Sequence, residues 1–275
     1  MRARYPHPKS LPSGKGLTFA LSGSISGVSH LRNLYKIIMD SAERYSRQIM
    51  LPELGAEGQK RLSATKVLLF GVGGLGSPIA TYLTAAGIGT LGIIDADKVS
   101  ESNLQRQTLY CESEVGTSKV ECAKRRLHAL NGSVKIDTYD CFLSKVNAEE
   151  IISCYDIVVD GCDNFATRFV VNDACLALGK PYVYGSIQGL NGQVSVFGMP
   201  DRNGKIHSYR DLYDEEEMIS MTPPSKAVLG ITPAVTGSVE ANQVLQIAAG
   251  FGEPLIGKLW SIDLRTMESY IIELP

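Results

Sequence analysis

The sequence predicts an α/β protein: a Rossmann-like, doubly wound and mainly parallel sheet that finishes in antiparallel strands. Three observations carry that expectation. From Ser63 onward, short apolar runs alternate with segments of helical period, as in strands joined by covering helices. The first run, TKVLLFG, leads into the glycine loop GVGGLG, which opens a helix. The last two runs, KLWSIDL and ESYIIEL, read as a closing hairpin.

In chain order, TKVLLFG is a short buried strand, SPIATYLTAAG a helix stopped by Gly87, and TLGIID a second strand. SKVECAKRRLHAL places Val120, Ala123, Leu127 and Leu130 on one helix face. VKIDTYD is a strand. Asn147, with Glu150 three residues later, resembles a capped start for NAEEIISC. DIVVDG is a strand and RFVVNDACLALG a helix; PYVYGSIQ and GQVSVFG are strands joined through Gly189 and Gly192. Residues 199–226 break the rhythm with charge and two prolines, so they read as a surface excursion. PAVTGSVEANQVLQIAAG then forms a helix begun by Pro233. No internal repeat is visible.

The chain has 275 residues, long enough for one large domain with an appendage. A net charge of −2 gives no reason to expect a nucleic-acid or membrane partner, and no apolar run is long enough to span a bilayer. The six cysteines include no C-x-x-C pair, so they read as reduced thiols of a cytoplasmic protein and not as zinc ligands. Residues 1–38 contain Arg2, Arg4, Lys9, Lys15, Arg32 and Lys36 but no acidic residue, with a Gly/Ser-rich middle. An organelle-targeting segment, a secretory signal, a disordered tail, and a non-native leader before a true start at Met39 all stay open, the last two being preferred. The folded domain is expected over residues 39–275.

The glycine loop has a physical logic. Gly71 allows a tight turn, Gly73 and Gly74 leave room for a phosphate at the backbone N–H groups, and Gly76 lets helix and strand pack closely. Asp95, at the end of the second strand, is placed to accept hydrogen bonds from a ribose. An adenine nucleotide follows, though not which one. Beyond Asp95, DADKVSESNLQRQ sets Asn103, Arg106 and Gln107 near the phosphates, and Lys119 begins the next helix with the same reach. A dinucleotide's diphosphate is already matched by the loop, whereas a triphosphate accounts for the extra cations. Taken singly, Arg106 and Lys119 are ordinary surface charges, Asn103 a turn residue and Arg47 a solvated charge.

Together RYSRQIMLPELG, GVGGLG, DADKVSESNLQRQ, GTSKVE and VVDGCDN are similar in type, order and spacing to the ThiF/MoeB/HesA family, over roughly residues 43–250. Family members use MgATP to adenylate the C-terminal glycine carboxylate of a ubiquitin-like sulfur-carrier protein. The resemblance therefore implies a nucleotidyltransferase, with ATP and Mg2+ as cofactors. It assigns Asp95 to the ribose and Asn103, Arg106 and Lys119 to the phosphates. Asp163 would hold magnesium, against a rival reading as a helix cap, and Arg47 would reach the triphosphate across a homodimer interface. Cations there neutralise charge gathering on the phosphoryl oxygens, and no protein nucleophile is required. Cys162, beside Asp163, is expected to be a packing residue; His7, His30, His128 and His207 are not site candidates.

Two departures stand out. Many relatives bind structural zinc through two C-x-x-C pairs; here HSYRDLYDE occupies the first place and no cysteine follows Cys175, so no zinc site is expected. Some relatives use a crossover cysteine for sulfur transfer, where SMTPPSKAVLG has Pro223 or Pro224. The expectation is that catalysis stops at the acyl-adenylate and that a cysteine desulfurase or rhodanese-like protein supplies sulfur. The strands within 180–200 and the excursion are the expected carrier-docking surface. Thiamine and molybdopterin pathways both fit, with a ThiS-type carrier preferred to a MoaD-type one. Alternatives are a non-catalytic scaffold binding a ubiquitin-like partner, an NAD-dependent oxidoreductase that leaves SNLQRQ, Lys119 and DGCDN without a role, and a tRNA-modifying relative requiring a basic patch.

Overall fold

A computed structural model describes residues 43–222 and 225–275. The expectations for residues 1–38, Met39, Pro223 and Pro224 fall outside them. Among the described residues, helices α1 (Ser46–Ile49) and α2 (Gly55–Ala64) precede strand β1 (Lys66–Phe70). Then come α3 (Gly76–Ala86), β2 (Thr90–Ile94), α4 (Lys119–Leu130), β3 (Lys135–Tyr139), α5 (Ala148–Ser153), β4 (Ile157–Asp160) and α6 (Phe165–Leu178). The remaining elements are β5 (Tyr182–Gln188), β6 (Asn191–Phe197), α7 (Glu215–Ser220), α8 (Ile231–Ala249), β7 (Lys258–Asp263) and β8 (Glu268–Glu273).

Among the described residues the strands form one eight-stranded sheet in the order β3-β2-β1-β4-β5-β6-β7-β8. The first five pair in parallel and the last three run antiparallel, each to its neighbour, as expected. Strand β1 pairs with β2 on one side and β4 on the other, so the winding reverses between β1 and β4. Both faces of the central strands β1, β2 and β4 are covered, which is why Val67–Phe70, Leu91, Ile93, Ile94 and Ile157–Val159 are apolar and buried, whereas the edge strand β3 carries Lys135, Asp137 and Thr138. Val67 and Leu69 join a core beneath α3, α4 and α8, while Leu68 and Phe70 join a second core beneath α5 and α6. Gly87, at φ 81°, closes α3 in the left-handed conformation that glycine adopts without penalty.

Three local readings change. Asn147 does not cap α5 with its side chain: its Oδ1 accepts the Ser144 N–H at 2.8 Å, so a turn before the helix takes that oxygen. Leu130, at the last turn of α4, is 38% exposed, because the inward stripe of that helix ends at Leu127. The 199–226 excursion is not purely superficial. Tyr209 is fully buried, with ring centroids 4.8 Å from Phe169, 5.2 Å from Tyr184 and 4.9 Å from Tyr213. His207 is buried beside it, its Nε2 3.2 Å from Asp201 Oδ2. One aromatic side chain thus pins a polar segment to the second core, a signal that hydrophobic periodicity cannot carry.

Candidate active site

The loops after β1 and β4 meet at the point where the winding reverses, where ligands of open α/β sheets collect. Gly71 leaves β1 with φ 87°, and a Cβ there would lie 2.7 Å from the Gly161 carbonyl carbon. Gly76 and Gly161 both approach the Gly71 carbonyl too closely for any side chain. Gly73 and Gly74 face a different environment. A Cβ on Gly73 would meet Gln107 Nε2 at 3.5 Å, and one on Gly74 would meet Pro233 at 3.2 Å and Arg106 Cδ at 3.5 Å. Behind them α3 runs for 11 residues, its amino end presenting N–H groups and the positive end of its dipole.

Asp95 follows β2 and is built into this loop: it accepts the Val72 N–H at 2.9 Å through Oδ2 and the Asp97 N–H at 2.9 Å through Oδ1. Burial pushes its carboxyl upward, opposed by the Lys119 ammonium 3.9 Å away. Each oxygen keeps a second acceptor position for a ligand hydroxyl. Lys119 is buried at the start of α4, with Nζ 2.8 Å from Asp97 Oδ2, so its charge is aimed at the Asp95 corner and not at solvent. Tyr110 Oη donates to the Val72 carbonyl at 2.7 Å and braces the loop from the other side.

The turn before α4 brings the other polar candidates together. Asn103 Oδ1 accepts the Ser100 N–H at 3.1 Å, holding the turn and leaving the amide nitrogen as its outward donor. Arg106 is half-buried against Gly74, with Nη1 donating to the Ser102 carbonyl at 2.9 Å. Gln107 is buried beside Gly73, and its Oε1 has no hydrogen-bond partner among the described residues. An orphaned amide at an open glycine is the kind of group a ligand completes.

Asp163 lies exposed on the loop after β4, next to the glycine loop through the Gly71–Gly161 contact. The capping role falls to its neighbour: Asn164 Oδ1 accepts the Thr167 N–H at 3.0 Å at the start of α6. The Cys162 thiol is pushed well up by burial, so it is protonated and unreactive at neutral pH. Arg47 does not join the group. Tyr45, two residues before it, rests against Gly87 and accepts from Asn131 Nδ2 at 2.8 Å, while Gln48 Nε2 donates to Ala86 O at 2.9 Å. Helix α1 therefore sits at the carboxyl end of α3, whose 11 residues span about 16 Å from the glycine loop.

Sequence reasoning missed a buried ionic group beneath the Asp163 loop. Arg168 Nε is 2.7 Å from Asp160 Oδ2, and Arg168 Nη2 donates to the carbonyls of Cys162 at 2.8 Å and Gly185 at 2.9 Å. Asp160 also accepts from Cys162 N at 2.9 Å and Tyr182 Oη at 3.1 Å. Removing either charge would strand the other, at a cost of about 3–5 kcal/mol. The available signal was an aspartate ending an apolar strand and an arginine in a largely apolar helix, eight residues apart.

The sequence matches the ThiF family over residues 45–275. It is 44% identical over 230 residues to a probable adenylyltransferase/sulfurtransferase MoeZ of Mycobacterium tuberculosis, covering 83% of this chain and 59% of that protein. It is also 44% identical over 227 residues to a sulfur carrier protein adenylyltransferase of Thermus thermophilus, covering 82% of this chain and 84% of the relative. The chain thus spans less than two thirds of the MoeZ relative's length. Among solved structures, PaaA superimposes with a TM-score of 0.74 at 24% identity, covering 85% of this chain and 83% of PaaA. Escherichia coli MccB with MccA-N7isoASN gives 0.71 at 22% identity, covering 85% of this chain and 72% of MccB. These two likenesses concern the fold alone, while the match across nearly all the described residues and the two relatives at 44% identity place the chain in the ThiF family.

Proposed function

We propose that this chain adenylates the C-terminal glycine carboxylate of a ubiquitin-like sulfur-carrier protein. The observation that carries the reading is that Arg106 and Gln107 border the glycine loop while Lys119 lies beside Asp95, which binds the same loop through Val72 N–H. The printed names of the Mycobacterium and Thermus relatives point to the same chemistry. ATP fits the cradle: Gly73 borders the Gln107 Nε2 donor, Gly74 borders the Arg106 side chain, and Asp95 keeps acceptor capacity for a ribose. Mg2+ also fits, because it is commonly held by one or two carboxylates together with substrate phosphates, and Asp163 is an exposed carboxylate beside that position.

In this reading the carrier's carboxylate attacks the α-phosphorus of ATP, the bond to the β-phosphate oxygen breaks, and pyrophosphate departs. Arg106, Lys119 and the Asn103 amide offset the charge that builds on the phosphoryl oxygens, and the amino end of α3 adds its dipole. Asp163 would hold Mg2+, which supplies charge neutralisation across the phosphates. Arg47 is too remote in its own chain and would be supplied by the second copy of a homodimer. A ThiS-type carrier is preferred to a MoaD-type one, and a separate desulfurase or rhodanese-like protein would deliver sulfur, since burial pushes up the thiols of half-buried Cys162 and buried Cys175, away from the reactive thiolate. The folded domain is taken as residues 39–275, in the cytoplasm.

The test is carrier-dependent exchange of pyrophosphate into ATP, with the adenylated carrier read by intact mass. Exchange with a ThiS-type or MoaD-type carrier supports the reading and ranks the two. No exchange with either, or thermal stabilisation by NADH and not by MgATP, would refute it. Mixing Arg47→Ala with Arg106→Ala protein should restore about a quarter of wild-type sites if the arginine acts between copies.

A further inference from the structure

The loop that carries Asp163 is anchored by backbone contacts that come from one buried side-chain pair. Asp160 takes the Cys162 N–H at 2.9 Å and Arg168 takes the Cys162 carbonyl at 2.8 Å, so both polar groups of the residue before Asp163 are fixed. The same Arg168 Nη2 reaches Gly185 O at 2.9 Å, tying the loop to β5. The guanidinium lies 5.4 Å from the Tyr184 ring centroid and 6.0 Å from that of Phe165, which leaves it little freedom. On the opposite side, the Gly161 backbone presses on Gly71. Glu240, buried at Gly185, makes no hydrogen bond to the guanidinium among the described residues, and burial pushes its carboxyl well up.

We infer that Arg168, with Asp160, is a positioning residue that holds the Asp163 carboxylate at the metal position beside the glycine loop, linking that position to β5. The inference rests on the assignment of Asp163 to Mg2+ proposed above. A guanidinium is needed because one planar fork must serve a carboxylate and two carbonyls together, which an ammonium on a flexible stem does not reproduce. Neither residue touches substrate; they act through the Cys162 backbone.

Three variants test this: Arg168→Lys, Asp163→Asn, and Asp160→Asn combined with Arg168→Gln, which removes both charges if the lysine variant fails to fold. The readouts are ATP affinity with Mg2+ and with EDTA, and amide exchange across residues 161–165 without ligand. Arg168→Lys should weaken the apparent Mg2+ affinity about tenfold or more, leave ATP binding in EDTA unchanged, and speed exchange in 161–165. Asp163→Asn should lose the Mg2+ effect with exchange unaltered. If Asp163→Asn keeps the full Mg2+ effect, the metal assignment falls. If Asp163→Asn loses it while Arg168→Lys, or the neutral pair, keeps it with native exchange, the positioning role is overturned.

Discussion

Replacing Lys119 with methionine tests the electrostatic centre of the site while keeping most of the side chain's packing. The ammonium lies 3.9 Å from Asp95 Oδ2, and at an effective dielectric of about 20 two unit charges so placed attract by about 4 kcal/mol. The closer partner, Asp97 at 2.8 Å, has a 59% exposed side chain, so solvent reduces that pair to about 1 kcal/mol or less. Returning the lysine charge to water in the unfolded state offsets part of the sum, which leaves a net loss of about 2–3 kcal/mol. For a domain of this size that corresponds to a melting temperature lower by about 5–10 °C.

The pH dependence makes the test specific. Burial raises the folded pKa of Asp95 above its unfolded value, so its own contribution to stability is full below the unfolded pKa and is lost as pH rises through the folded one. Lys119 limits that loss, and without it the folded pKa climbs further. The variant's deficit should therefore be complete at pH 8 and close as falling pH protonates Asp95. Urea denaturation of both proteins at several pH values measures it. A deficit that stays flat with pH, or is absent, would refute the placement of the Lys119 charge. Pyrophosphate exchange by the variant should fall about 10²–10³-fold.

Other outcomes follow from the same geometry. Arg106→Ala should cut exchange about 10²-fold with little change in melting temperature, since the side chain is half-buried and its recorded bond is to a nearby carbonyl. Gly71→Ala places a Cβ 2.7 Å from Gly161 at a left-handed φ, and should cost about 1–3 kcal/mol by urea titration while abolishing ATP-dependent stabilisation. Tyr209→Ala should cost about 3–5 kcal/mol, whereas Tyr209→Phe should be neutral or stabilising because the buried hydroxyl has no partner among the described residues. Hydrogen bonds from Arg210 to Asp173, and from the Lys205 backbone to Asp201, hold both carboxyls below their ordinary values. Their stabilisation is present above the unfolded pKa and fades as pH falls through the folded pKa, so melting curves below about pH 4 should show it disappearing.

The sheet and the glycine-loop corner were legible because their information is local. An apolar run, a glycine spacing and an aspartate after the second strand lie within thirty residues of one another, and backbone sterics dictate the rest. The positions of Lys119 and Gln107 followed from the same reading, though their burial did not, because both residues are usually solvated. The Asp160–Arg168 pair was hidden in plain helical and strand patterns; it forms only when α6 folds back over β4 and the chain brings Gly185 alongside. Tyr209 was hidden for the opposite reason, since eleven residues lie between the end of β6 and an anchor that no period announces. The motif around Arg47 was recognisable, yet its location leaves it apart from the other candidates in this chain.

The mutual contact of Gly71, Gly76 and Gly161 has an evolutionary corollary. Gly76 and Gly161 press on the Gly71 carbonyl, and Gly71 presses in turn on the Gly161 carbonyl, so a side chain acquired at one position cannot be accommodated by trimming the other two, which have nothing left to trim. Drift at this corner is closed to single steps, so variation among descendants of this chain would have to arise from the outer wall around Asn103, Arg106 and Gln107.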